Sequence, residues 1–458
     1  MIQPEARRWS WPGGAALFAI LLALSTPRPA AAQDRFVLPP IPIDTFTLAN
    51  GLRVIVSQDH SAPLVAVSMV YGVGSAHEAP GRTGFAYLLE HMLFEPTANL
   101  TDGEYDRLIS RAGGLTGGAT DYDRTEFGEL LPANQLDLSL WMHAERMARV
   151  EISDEAFRAV LGMVLDERLQ RVDGQPYAAA QIAVDTLATD YAPYRHPPLG
   201  STADLVAATT EDVRGFYRKY YVPNNAVLTV VGAVTTADVR RAAEEYLGPI
   251  PRGAPLPDLP PFPPTPRTTG ERRLAVVDPL AQLPLVWITY NAPSDPADAY
   301  ALSALATILG AGESSRLKER LVHREEAARD VASALRTRRG PGTLLLGAMA
   351  NEGVDIGRVE EMVSEEVARL QSEDVTEREL AKAKNHLRVS LVTGRMKAQT
   401  RAQQLQSAVL HHGDPFWVNG EMARYEEVTL EDVRRVARTY LTPANRAVVI
   451  ARPARGGD

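Results

Sequence analysis

The feature that most constrains this chain is a repeat. Glu211-Asp212-Val213-Arg214 leads into Arg218, Tyr220, Pro223 and Asn225, and Glu431-Asp432-Val433-Arg434 leads into Arg438, Tyr440, Pro443 and Asn445, every matching pair offset by 220 residues. In both copies a helix-forming stretch gives way to a proline-containing turn and then a β-rich run, Ala226 to Val231 and Ala447 to Ile450. An offset close to half of 458 residues points to a duplication, two similar α+β halves. Length agrees, because such a chain exceeds what one hydrophobic core ordinarily holds. Between the copies, Pro249 to Pro266 is dense in proline, which favours a stiff polyproline-like linker. The expected organisation is a first lobe at 33–248, a linker at 249–270, a second lobe at 271–452 and a tail at 453–458.

The residues ahead of the first lobe have the pattern of a targeting segment. Arg7 and Arg8 precede an apolar run from Ala15 to Leu24 that is too short to span a bilayer, and Ala30-Ala31-Ala32 supplies an A-x-A cleavage signal before Gln33. A signal peptide at 1–32 is expected, with a mature protein that is periplasmic or secreted and has no membrane span after cleavage. Without cysteine, no disulfide is available to it. The net charge of -9 argues against nucleic acid as a partner, since a phosphate-binding surface needs a basic excess.

Within the first lobe, Thr45 to Val56 is expected to form two strands joined at Asn50-Gly51, and Val65, Val67, Met69 and Tyr71 alternate as a third with one face buried. A small antiparallel sheet of these three is the expectation. Gly81 to Phe94 follows as a helix stopped by Pro96, its stripe made by Phe85, Leu88, Leu89, Met92 and Leu93. Tyr87, Glu90 and His91 fall roughly opposite that stripe, so a solvated helix face competes with a functional reading. Asp154 to Gln170 is a second amphipathic helix, with Glu167 at the edge of its stripe where a carboxylate could reach a neighbouring helix.

A hydrolytic zinc site commonly uses three protein ligands, an open position for water and a carboxylate base. His91 and Glu167 are candidate ligands and Glu90 a candidate base; Tyr87, one helical turn from His91, stands where a second histidine would serve. A phenol has to lose a proton with pKa near 10 before it binds a metal well. His77, upstream in a loop, is a candidate substitute ligand.

At these residues the chain resembles the insulinase/pitrilysin metallopeptidase family, the inverzincins, whose motif is His-x-x-Glu-His with a distal Glu about seventy-five residues on. Tyr87-Leu88-Leu89-Glu90-His91 occupies the motif and Asp166-Glu167-Arg168 the distal-ligand segment. Gln175-Pro176-Tyr177, Tyr221-Val222-Pro223-Asn224-Asn225-Ala226 and Ser314-Ser315-Arg316-Leu317 also match segments typical of the family. The resemblance implies two homologous lobes, each an antiparallel-rich sheet packed with helices, closing like a clam around unfolded peptides, and a dimer for a half-length chain. It also implies that Gly117, Gly118, Ala119 and Thr120 line the substrate next to an edge strand. Against the family pattern, Tyr87 replaces the first histidine, Gly117 an asparagine, Val160 a polar residue, and Val322 and Arg329 a substrate-binding Arg and Tyr. The expectation is weak or absent zinc and a non-catalytic or impaired subunit, paired with an active peptidase to bind and degrade peptides in the periplasm. The alternative is a working zinc endopeptidase with Tyr87, His91 and Glu167 as ligands and Glu90 as base.

Overall fold

The computed structural model describes residues 38–267, 269–373 and 375–454. The expected signal peptide, and all of the expected tail except Pro453 and Ala454, lie outside them. Two mixed sheets form the frame. The first holds β1 (Asp44–Thr47), β2 (Arg53–Gln58), β3 (Leu64–Tyr71), β4 (Leu115–Thr120), β5 (Thr125–Pro132) and β6 (Ala226–Gly232) in the order β1-β2-β6-β3-β5-β4. The second holds β7 (Arg272–Asp278), β8 (Leu285–Ala292), β9 (Ala328–Arg336), β10 (Gly342–Ala350) and β11 (Arg446–Pro453) in the order β7-β11-β8-β10-β9.

Strand for strand, the second sheet repeats the first without β1. In each, the strand of the repeat lies between a parallel and an antiparallel neighbour: β6 between β2 and β3, β11 between β7 and β8. The three-strand antiparallel sheet expected at 45–71 is therefore interrupted, because β6 inserts between β2 and β3. Its sequence explains the position: Ala-Val-Leu-Thr-Val-Val-Gly is buried at every residue and needs cover on both faces.

The repeat is equally clear in detail. Helices α4 (Thr210–Tyr220) and α6 (Leu430–Tyr440) each begin with a capping box, Thr209 with Asp212 and Thr429 with Asp432. After each, an asparagine amide closes the turn into the strand, Asn225 donating to the Tyr220 carbonyl at 2.8 Å and Asn445 to that of Tyr440 at 2.7 Å. These bonds satisfy carbonyls that the helix end leaves orphaned.

The halves also exchange a helix. The front of the first sheet, with Val67, Met69, Leu228 and Val230, packs on helices of its own half, while its back, with Ile55, Val227 and Val231, is covered by Leu405 and Val409 of α5 (Ala398–His412). Reciprocally, Ala180 and Val184 of α3 (Ala178–Ala188) cover Leu285, Leu345 and Val449 of the second sheet. For this reason β3 is buried on both faces, where its alternation suggested one. Ser68 on that hidden face meets Gln406 of α5, whose amide donates to the Ser68 carbonyl at 3.0 Å. The proline-rich segment lies along this assembly: the Tyr191 hydroxyl donates to Pro260 O at 3.0 Å, and the Phe262 ring packs on Tyr191.

Candidate functional site

The candidate site is carried by α1 (Phe85–Met92), α2 (Asp154–Arg168) and the edge strand β4. Helix α1 starts at Gly84, whose φ of 96° belongs to the left-handed region that glycine adopts without a Cβ clash. No side chain caps it from the usual position. Instead the buried Glu78 carboxyl accepts from the backbone N–H of Gly84 at 2.7 Å and of Ala86 at 2.8 Å, pairing two donors that the helix start leaves orphaned. Phe85, Leu88, Leu89 and Met92 then lock one face into the first core, which fixes where the other face points.

That other face is not solvated. Tyr87 is 7% exposed and Glu90 9%, because α2 and β4 close over them. The Tyr87 hydroxyl donates to Glu167 Oε2 at 2.8 Å, His91 Nε2 lies 3.2 Å from the same oxygen, and the two rings meet edge-on with centroids 5.0 Å apart. Glu90 turns to β4, where a Cβ on Gly118 would lie 2.9 Å from its Cγ. The structure thus brings Tyr87, Glu90, His91 and Glu167 to one place, beside Gly118 and Thr120. Gly117 and Ala119, alternating to the opposite face of β4, line a cavity of about 240 Å³ between the strand and α5.

Protonation follows burial. Burial foremost pushes the Glu90 carboxyl up, with the charge of Glu167 adding to it and the Thr120 hydroxyl opposing. Burial lowers His91 despite the pull of Glu167 and so favours the neutral imidazole. Burial and the hydrogen bond to Glu167 drive the Tyr87 phenol far above its ordinary value.

A zinc ion requires donors that arrive without their protons. Here the phenol keeps its proton and points it, in a hydrogen bond, at the carboxylate oxygen that would hold the metal. Two competent donors remain, His91 and Glu167, and among the described residues no three His, Cys, Asp or Glu side chains are grouped to hold a metal. The residues present do not fit a three-ligand hydrolytic zinc site. His77 does not repair the set: its Nδ1 accepts from the Gly74 N–H at 3.2 Å and its ring packs on Tyr220. Val160 sits in the core at 1% exposure.

Two participants escaped the sequence reading. Arg171 pairs with Glu167 Oε1 at 2.9 Å from one turn further along, a spacing at which charged side chains meet on a helix. Beneath the edge strand, Glu129 on β5 is fully buried with His143 Nε2 at 2.7 Å and Arg146 Nη1 at 3.5 Å, and it also takes a hydrogen bond from Tyr105. Nothing in local spacing announces this group, since its members come from three separate elements.

Comparison with known proteins places the chain. The sequence model described as insulinase, peptidase family M16, matches residues 53–200, and that described as the peptidase M16 inactive domain matches 207–387. The second match excludes Tyr87 to Glu167 and carries no argument about that site. A protein named zinc protease PqqE from Helicobacter pylori is 27% identical over 412 residues, 90% of this chain and 93% of that one. A crystal structure of a protease from Helicobacter pylori superposes with a TM-score of 0.87 at 26% identity, covering 91% of this chain and all of the other. The periplasmic protease PqqL from Escherichia coli shares the fold at a TM-score of 0.74 and 17% identity, with 92% of this chain matching 48% of that one. The duplicated fold, the position of Glu90, His91 and Glu167 and these matches agree: the chain belongs to the insulinase family of peptidases, M16.

Proposed function

We propose that this chain is a non-catalytic or strongly impaired member of the family, which holds extended peptides and works in the periplasm beside an active zinc-bearing subunit. The observation that carries the reading is the Tyr87 hydroxyl donating to Glu167 Oε2 at 2.8 Å, a proton where a metal ligand is needed. Peptide holding is supported by β4, an edge strand whose outer backbone groups pair with no strand among the described residues and whose residues are mostly exposed. Such an edge accepts an added strand through main-chain hydrogen bonds and reads backbone more than side chains. Pairing is supported by the fold match, in which this chain corresponds to about half of the Escherichia coli protein.

A second reading, a working endopeptidase with Tyr87, His91 and Glu167 on zinc and Glu90 as base, is favoured by Glu90 Oε2, which lacks a hydrogen-bond partner among the described residues, and by His91 Nε2, which has only Glu167 Oε2 beside it at 3.2 Å. Metal analysis separates the two. The purified protein is expected to hold well under one zinc per chain and to leave unfolded peptides intact, while Tyr87→His gains zinc affinity. Near-stoichiometric zinc in the parent, removed by chelator together with peptidase activity that Glu90→Gln also abolishes, overturns the non-catalytic reading.

A further inference from the structure

The pocket that fits zinc poorly has a definite chemistry of its own. Glu90 is 91% removed from solvent by its 9% exposure, yet its Oε2 has no hydrogen-bond partner among the described residues, and His91 Nε2 has only the 3.2 Å approach to Glu167 Oε2. Buried polar atoms are rarely left unpaired, and each one without a partner carries a desolvation cost. Both lie on α1, the helix that faces the edge strand. Glu167 adds a second carboxylate, and the cation bonded to it, Arg171, stands on the solvent side with its side chain 67% exposed. Glu90 has no ion-pair partner of that kind in the pocket. His91 and Glu167 retain 23% and 18% side-chain exposure, so the pocket is open to a group arriving from outside.

We infer that this pocket receives a primary ammonium group of the peptide held along β4. The inference rests on the peptide-holding reading above and names the feature of the peptide that the pocket selects. An ammonium carries one positive charge and three N–H donors and has no acceptor, so it satisfies Glu90 Oε2, His91 Nε2 and Glu167 together. Unlike zinc, it asks no third ligand to give up a proton: the Tyr87 hydroxyl can donate to Glu167 and still offer a lone pair. It is compact, whereas a guanidinium needs a flat fork of acceptors. A strand added to β4 runs about 4.8 Å from it, within reach of a pocket that Gly118 leaves open beside Glu90. The ammonium comes either from the peptide's N-terminus or from a lysine side chain.

The test uses the intact protein in chelator-containing buffer and a lysine-free decapeptide with a C-terminal fluorophore, read by fluorescence anisotropy. Three peptides are compared: with a free N-terminus, with that terminus acetylated, and acetylated but carrying one lysine near the start. The free amine is expected to bind on the order of 10- to 100-fold more tightly than the acetylated peptide, the range for a charge-assisted hydrogen bond lost from a buried acceptor. Recovery of tight binding by the lysine peptide assigns the site to side-chain ammonium, and failure to recover assigns it to the terminus. Glu90→Gln, of almost the same shape, is expected to erase the preference, read as the ratio of free to acetylated affinity within that variant. Equal affinity of the free and acetylated peptides overturns the ammonium inference and leaves peptide holding intact. Absence of binding by every peptide overturns both.

Discussion

Replacing Gly118 by alanine places a methyl carbon 2.9 Å from Glu90 Cγ, 3.0 Å from its Oε1 and 3.3 Å from its Cδ, all closer than ordinary carbon contacts. The neighbouring Gly117 has no heavy atom within 4 Å of the same added carbon, so Gly117→Ala serves as the internal control. Both substitutions reduce the freedom of the unfolded chain equally, a gain of about 0.4–1 kcal/mol where the native backbone tolerates alanine. That contribution cancels in the comparison and leaves the clash with Glu90, for which overpacking of a tight site costs roughly 1–3 kcal/mol. Urea unfolding of the two variants should therefore differ by about 1–3 kcal/mol, with Gly117→Ala at or above the parent. Peptide binding should separate them in the same direction, since Glu90 or the edge strand has to move in Gly118→Ala alone. Equal midpoints and equal peptide affinity would falsify the placement of Glu90 against β4.

Two buried groups at the start of the site helix give stability opposite slopes with pH. Burial lowers His77 from 6.5 to about 4, so as pH falls through that window the unfolded chain takes up a proton that the folded one refuses, and stability on the order of 2–3 kcal/mol is lost. Burial raises Glu78 from 4.5 to about 8, so the folded chain holds a proton that the unfolded one releases, and stability falls as pH rises between those values. Thermal melts from pH 4 to 8.5 should show a maximum inside the range; His77→Asn should flatten the acid limb and Glu78→Gln the alkaline one, and a profile unchanged in both variants contradicts these assignments. Under the edge strand, Glu129→Gln leaves Arg146, 1% exposed, with an uncompensated charge, at a cost of roughly 3–5 kcal/mol. A melting temperature within a degree of the parent would show that Arg146 draws its compensation from elsewhere.

The legible parts of this protein were those written in local spacing. The 220-residue offset of α4 and α6, the Asn50-Gly51 turn between β1 and β2, and the paired stripes of α1 and α2 each follow from residues close in sequence. Glu167 facing α1 was also foreseeable, because the edge of an apolar stripe is where a long carboxylate side chain finds a neighbour. What escaped depends on distant partners. Whether Tyr87 and Glu90 were wet or dry turned on β4 arriving over them, and α1 alone offers no sign of that. The double-sided burial of β3 was masked by Ser68, a polar residue that suggests an exposed face until Gln406 satisfies it from 338 residues away. Arg171 had the right spacing from Glu167, yet an exposed arginine one turn from a glutamate is commonplace on helices.

The exchange of α3 and α5 also sets an order of events. The sheet whose edge is offered to peptides keeps an apolar back until residues 398–412 arrive, near the end of the chain. As the polypeptide is made, its first half can assemble the α1 side of that sheet but has nothing to lay over Ile55, Val227 and Val231, and a bare sheet face with open edges invites the wrong partners. Such long-range closure makes folding slow, because loop entropy is lost before the contacts that repay it are made. The two repeats are mutual templates: the back of neither sheet is covered until the other half supplies its helix.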